Sequence, residues 1–228
     1  MARKAQIPVS ELRLEVLPSA QRKLWDELGG TPPQFVLYGG TAIALRLGHR
    51  QSVDFDFFAL ESIDTAGLLG AVPYLAKAVV QQEEPQTLVC RVKRGKQVSV
   101  SFFGLPSLRQ VAPPDEVQSP HIKLASLLDL AGMKMAVVSR RARAKDYLDV
   151  HALMNDARIE LIDALAAAAV IYGAQFNPLV TLKALTYFGE PEVEALPRAV
   201  KRDIGIAAKS VNLGLLTIRI QRLRRSRS

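Results

Sequence analysis

The chain has 228 residues, 49% hydrophobic and 23% charged, ordinary globular proportions that exclude wholesale disorder. Its single cysteine, Cys90, excludes an internal disulfide framework and any cysteine-rich zinc site. The formal net charge of +8, from 30 Lys and Arg against 22 Asp and Glu, suits an anionic partner: nucleic acid, a nucleotide or an acidic protein.

The opening stretch MARKAQIPVSELRLEVLPSAQ holds no apolar run of signal-peptide length. The longest apolar run, Ala164 to Tyr172, is far too short to span a bilayer. The expectation is a soluble, cytoplasmic protein that does not engage a membrane.

In chain order, PSAQRKLWDELGG reads as a short helix stopped by two glycines. QFVLYGG reads as a buried strand ending in a turn. TAIALRLG reads as a helix with Thr41 near its start and Gly48 at its stop. After the loop HRQS, VDFDFFAL is a second strand. SIDTAGLLGAVPYLAKAVVQQ reads as helical, with Pro73 as a break. TLVCRV and VSVSFFGL alternate with period two around KRGK and predict a hairpin. The Pro-rich APPDEVQSP is the best boundary candidate.

Beyond it the pattern is helical almost to the end, with basic residues crowded at 134–145 and in the tail 218–228. A solvated, solubilising face explains the tail as well as an anionic partner does. The layout is an α/β part at 1–112 and a helical part with a basic tail at 113–228.

The strand–glycine–helix unit at Gly39-Gly40-Thr41 has the form of an anion site. Glycine permits close backbone approach, and helix N-terminal N–H groups with the helix dipole favour negative charge. The Thr41 hydroxyl is a further candidate donor. Alone this is a weak signal, because many such turns hold nothing.

The next strand strengthens it. Residues two apart share a strand face, so Asp54 and Asp56 project together while Val53, Phe55 and Phe57 point into the core. Adjacent carboxylates repel unless a cation lies between them. Mg²⁺ accepts one or two carboxylates, water and phosphate oxygens. A phosphate turn followed by a carboxylate pair therefore points to metal-assisted phosphoryl or nucleotidyl transfer. The competing reading is an edge strand with a merely solvated polar face.

A third signal lies downstream. Lys134 falls on an apolar helical stripe with Leu127, Leu130, Ala131, Val137 and Val138, either snorkelling to water or held in a cleft against phosphate or carboxylate. Asp146 and Asp149, three apart, share a helix face that borders the core. Asp149 could pair with Lys145 at i,i+4. Arg140, Arg141 and Arg143 could pair these acids or grip phosphates.

FVLYGGTAIALRLGHRQSVDFDFF together with ASLLDLAGMKMAVVSRRARAKDYLDVHAL resembles the AbiEii/AbiGii-type toxin nucleotidyltransferases over about residues 20 to 155. The resemblance implies an α+β nucleotidyltransferase fold: a small mixed sheet flanked by helices, then an all-helical part. It implies that Gly39, Gly40 and Thr41 hold triphosphate, with Arg50 and Ser52 of the His-Arg-x-Ser element beside it. By the same resemblance Asp54 and Asp56 bind Mg²⁺ or Mn²⁺ and Lys134 contacts nucleotide phosphates. Asp146 is a catalytic carboxylate or orients the attacking hydroxyl, with Asp149 as the second candidate.

The implied reaction transfers a nucleoside monophosphate from an NTP to RNA, tRNA in particular, in a bacterial toxin–antitoxin system with a cognate antitoxin. One departure stands out. Many nucleotidyltransferases bring a third carboxylate from the following hairpin strand, and here QVSVSFFGL offers Ser99 and Ser101 instead. Asp146 or Asp149 could complete the site, or two strand carboxylates could suffice. A small-molecule or protein acceptor, or a nucleotide-binding module with little turnover, are the alternatives.

Overall fold

The computed structural model describes residues 6–225. The first five residues, and the end of the basic tail at 226–228, lie outside the described residues. The chain divides into two compact units. One consists of the residues up to Leu108 together with Pro113–Ala125, the other of Arg109–Ala112 with the residues from Ser126 onward.

The first unit is built on a mixed sheet of eight strands among the described residues. The strands are β1 (Gln6–Ile7), β2 (Val36–Tyr38), β3 (Asp54–Ala59), β4 (Val79–Glu84), β5 (Thr87–Arg94), β6 (Lys96–Gly104), β7 (Asp115–Val117) and β8 (Lys123–Leu124). Their order across the sheet is β1-β7-β8-β2-β3-β6-β5-β4. The four contiguous strands β2, β3, β6 and β5 are those predicted from the sequence.

One face is apolar: Phe55, Phe57, Leu88, Cys90, Val98, Val100 and Phe102 are fully buried. Helix α1 (Ser19–Trp25) adds Leu24 and Trp25 to this core, and α2 (Gly39–Leu47) adds Ala42, Ile43, Ala44 and Leu45. Val53, expected inside, lies one residue before β3 and is 50% exposed. The alternation that buries Phe55 starts only with the strand.

Two segments depart from the predicted elements. Only Thr65–Ala71 of the long segment read as helix is α-helical (α3), followed by one 3-10 turn at Pro73–Leu75. Val79–Glu84 is instead the edge strand β4, antiparallel to β5. Every residue of β4 is exposed, so it shows no apolar alternation, and only pairing with β5 reveals it.

The Pro-rich stretch does not end the first unit: the chain re-enters that unit at Pro113. Asp115–Val117 and Lys123–Leu124 return to the sheet, β8 running parallel to β2. Arg46 of α2 holds this return, binding Asp115 at 2.8 Å and the Ala125 carbonyl at 2.8 Å. The first compact unit therefore runs on past residue 112, to Ala125.

The second unit is helical: α4 (Leu127–Val138), α5 (Ala144–Asn155), α6 (Leu161–Tyr172), α7 (Pro178–Thr186), α8 (Pro191–Glu194), α9 (Arg198–Ser210) and α10 (Leu216–Arg225). The alanine-rich α6 packs against α4. A Cβ at Gly132 of α4 would lie 2.9 Å from the Ala167 backbone and side chain, so close approach of these helices needs both small residues. Ser126 caps α4, and the buried Asp129 accepts the N–H groups of Val111 at 2.8 Å and Ala112 at 3.0 Å. Those hydrogen bonds tie 109–112 to this unit. No helix among the described residues is long and apolar enough to cross a membrane.

Candidate active site

In the first unit, β2 runs straight into α2, which begins at Gly39 rather than at Thr41 and has no side-chain cap. Its first N–H groups therefore keep the capacity to receive an anion. Gly39 has φ +75°, and a Cβ there would meet Asp56 Oδ2 at 2.8 Å. The glycine thus satisfies two demands at once, a left-handed backbone and room for the carboxylate. Tyr38 pairs with Asp56 across β2 and β3, which puts the turn and the carboxylate side by side.

Asp54, Asp56 and Phe58 alternate with the buried Phe55, Phe57 and Ala59 and are half-buried on the opposite face. Phe58 stacks on Tyr38 with ring centres 4.9 Å apart. The carboxylate face is therefore partly aromatic at one end, not simply solvated.

Three tethers fix the entry to β3. The Ser52 N–H donates to the Val16 carbonyl at 3.2 Å, Gln21 Nε2 donates to the Val53 carbonyl at 2.7 Å, and the Thr41 hydroxyl donates to the Asp54 carbonyl. Thr41 and Ser52 hydroxyls also meet at 2.7 Å in a buried pair. The Thr41 hydroxyl, expected as a donor to an anion, is thus spent on placing Asp54. Arg50 lies half-buried in the loop between α2 and β3 and donates to the Gln51 carbonyl at 2.9 Å.

Thr41→Val removes a donor from a buried hydroxyl pair. It is expected to cost about 1–3 kcal/mol, read as a lower unfolding midpoint in urea with the slope unchanged. Gln21 does the same kind of work and is not evident from the sequence, where a polar residue on a short helix looks like surface. Its one signal is position: Gln21 is next to Ala20 and three residues before Leu24 on the inward face.

Ser99 and Ser101 stand opposite Asp54 and Asp56 in the parallel pairing of β3 with β6. The strand neighbour of the carboxylate pair therefore offers two hydroxyl groups and no acid. The carboxylates form a two-acid site: among the described residues no group of three or more His, Cys, Asp or Glu could hold a metal. The donor set still fits Mg²⁺ or Mn²⁺, which take one or two carboxylates and complete their shells with water and phosphate oxygens.

The second unit carries its own constellation. Lys134 is 6% exposed on the inward face of α4, and Asp146 and Asp149 of α5 are 0% exposed. Lys134 Nζ lies 2.8 Å from Asp146 and 2.6 Å from Asp149. Arg141, nearly half exposed, reaches the other oxygen of Asp146 at 2.9 Å. Neither snorkelling of Lys134 nor an Asp149–Lys145 pair describes this: Lys145 is exposed, and Asp149 binds Lys134.

Burial pushes the Asp146 carboxyl up, but the charges of Lys134 and Arg141 outweigh it and hold the group below its ordinary value of 3.8. Asp146 therefore stays an anion. An ammonium has three donors, so Lys134 keeps one after binding both aspartates. Tyr147, between them on α5, anchors the helix by donating to the Ala184 carbonyl at 2.8 Å.

A mixed sheet with a glycine turn beside a strand carboxylate pair, followed by a helical unit, is the nucleotidyltransferase type of fold. It is similar to that of MenT4, a nucleotidyltransferase toxin of Mycobacterium tuberculosis H37Rv, with a TM-score of 0.56 at 16% identity over 89% of this chain and 87% of that one. The profile of the nucleotidyl transferase AbiEii toxins of type IV toxin–antitoxin systems matches residues 23–209, and the chain belongs to that family. The uncharacterized protein aq_aa25 of Aquifex aeolicus (strain VF5) is 30% identical over 123 residues, 53% of this chain. The chain spans about 58% of the length of that curated relative.

Proposed function

We propose that the protein is a metal-dependent nucleotidyltransferase that moves a nucleoside monophosphate from an NTP to RNA, tRNA in particular, as the toxin of a toxin–antitoxin pair. The observation that carries this reading is the close approach of Gly39 and Asp56, where a helix N-terminus open to an anion abuts a two-carboxylate strand face. Family membership and the net charge of +8 support it.

Asp54 and Asp56 would hold Mg²⁺ or Mn²⁺, which when bound neutralises phosphate charge and lowers the barrier to displacement. The N–H groups at Gly39, Gly40 and Thr41 receive phosphate oxygens of the triphosphate, with Arg50 nearby in sequence as a further cation. Ser52 and the Thr41 hydroxyl act through Asp54, by fixing its backbone. Lys134, in the second unit, has a third donor that a phosphate oxygen can take.

The acceptor hydroxyl oxygen bonds to the α-phosphorus, the bond to the bridging oxygen breaks, and pyrophosphate leaves. The hydroxyl gives its proton to solvent. Asp146 and Asp149 keep Lys134 charged and oriented. A carboxyl held below its ordinary range is the opposite of a base poised near neutral pH, so positioning is the role the geometry favours for Asp146.

The reading is tested by incubating the protein with each labelled NTP, Mg²⁺ and total RNA, with and without chelator. The expected result is label on RNA from one or two NTPs, absent with chelator. Label on protein or on small molecules alone moves the acceptor, and no label with any NTP sinks the reading.

A further inference from the structure

The carboxylate face of the sheet continues beyond Asp54 and Asp56. Asp54 pairs with Ser99, and Ser99 pairs with Arg91. Paired residues in adjacent strands share a face, so Asp54, Ser99 and Arg91 form one row across β3, β6 and β5. The parallel row runs from Asp56 through Ser101 to Val89, and Lys93 lies two residues along β5 from Arg91 on the same side. The middle strand carries only short hydroxyl side chains in these rows, Ser99 half-buried and Ser101 buried, which leaves a shallow shelf accessible at its Ser99 end. Two cations bound it, two strand spacings, about 9.6 Å, from β3.

These cations are electrostatically spare. Arg91 is half-buried and its guanidinium donates to the neutral Gln81 Oε1 at 2.7 Å. Lys93 is exposed. Neither has a carboxylate within ion-pair distance among the described residues. The contrast on the same strand is Arg94, which faces the other way and is bound to Glu27 through two hydrogen bonds of 2.5 Å.

Displacement at phosphorus brings the attacking and leaving oxygens roughly into line. With the triphosphate at the Gly39 turn on the β2 side of the carboxylates, the attacking hydroxyl comes from the β6 side. We propose that the Ser99–Ser101 shelf, bounded by Arg91 and Lys93, is the acceptor subsite and that these two cations take backbone phosphates of the incoming RNA. The direction of approach rests on the reading of the function given above; the cationic shelf stands by itself. A guanidinium suits phosphate through paired N–H donors. Arg91 and Lys93, about 6.7 Å apart along the strand, can engage neighbouring phosphates of one strand.

The test is fluorescence anisotropy of a labelled single-stranded RNA with the wild type, Arg91→Ala, Arg91→Ala/Lys93→Ala and, as a control charge-matched to the single variant, Lys209→Ala on α9. Transfer kinetics are measured in parallel. The double variant is expected to bind RNA at least ~10-fold more weakly, and the slope of log affinity against log salt is expected to fall by about 0.7 for each phosphate the variant no longer engages. KM for RNA should rise while KM for the NTP stays, and Lys209→Ala should behave as wild type.

Unchanged affinity and slope in the double variant overturn the subsite. So does an equal weakening in Lys209→Ala, which would mean diffuse attraction. The two failures separate cleanly. A wild type that labels RNA with an unaffected double variant removes the subsite and keeps the activity. A wild type that binds RNA through Arg91 and Lys93 without transferring anything does the reverse.

Discussion

Lys134→Met is expected to destabilise the protein by about 3–5 kcal/mol, the cost of removing the ammonium that two buried carboxylates share. Methionine matches the length of lysine, so the loss reports charge and not a cavity. In the wild type Asp146 and Asp149 are 0% exposed and each lies within 2.8 Å of the ammonium. Arg141 can still support Asp146 after the substitution, whereas Asp149 loses its 2.6 Å ion pair.

The pH dependence identifies the cause. The Asp146 carboxyl is held below its ordinary value, so its contribution is present above that value and is lost as pH falls through the lowered folded one. In Lys134→Met, burial, which raises the Asp146 carboxyl, is opposed by Arg141 alone, so the folded variant binds protons more readily than the folded wild type. Its stability then gains less than that of the wild type as pH rises through the carboxylate range. The deficit against wild type should be larger at about pH 8 than at about pH 5, measured by urea unfolding at both. A deficit below about 1 kcal/mol, or one independent of pH, would show that the ion pair does not support the helical unit.

The sequence revealed the parts of the fold that carry strong periodicity. Phe55, Phe57 and Phe102 alternate with polar residues, so the central strands were legible, as was the hairpin around Gly95. The margins were not. A two-residue strand such as Lys123–Leu124 has no period, and β4 has no buried residue to show one. Both exist because a neighbouring strand offers free hydrogen bonds, which is a tertiary fact. Arg46 explains the return of 113–125 to the first unit in the same way: its partner Asp115 lies 69 positions later, a distance no local pattern spans.

Residue type and spacing were enough to single out Gly39, Asp54 and Asp56 in the first unit, and Lys134, Asp146 and Asp149 in the second, as candidates. What they could not show is how each side chain is used. The hydroxyl of Thr41 looks the same in sequence whether it meets a phosphate or the Asp54 carbonyl. Lys134 looks the same whether it snorkels or lies between two aspartates. Ser99 and Ser101 read as missing acids, and only strand register turns them into a shelf with Arg91 beyond it.

Asp56→Asn is expected to lower transfer by about 1,000-fold or more, equivalent to about 4 kcal/mol of transition-state stabilisation. The amide keeps the size and shape of the carboxylate, so it still fits beside Gly39, where a Cβ would already come within 2.8 Å of Oδ2. What it removes is charge. Asp54 and Asp56 share one strand face, and neutralising one relieves their repulsion in the metal-free protein. The melting temperature should therefore hold or rise while activity collapses, and that opposition of signs separates a chemical role from a structural one. A thermal melt paired with the labelling assay reads both. Activity within tenfold of wild type would remove Asp56 from the metal site. The loss should also be steep because no strand acid stands in reserve: the positions opposite Asp54 and Asp56 are Ser99 and Ser101. A hydroxyl there can bind water or substrate but cannot replace a carboxylate's charge, so two acids carry what a third would otherwise share.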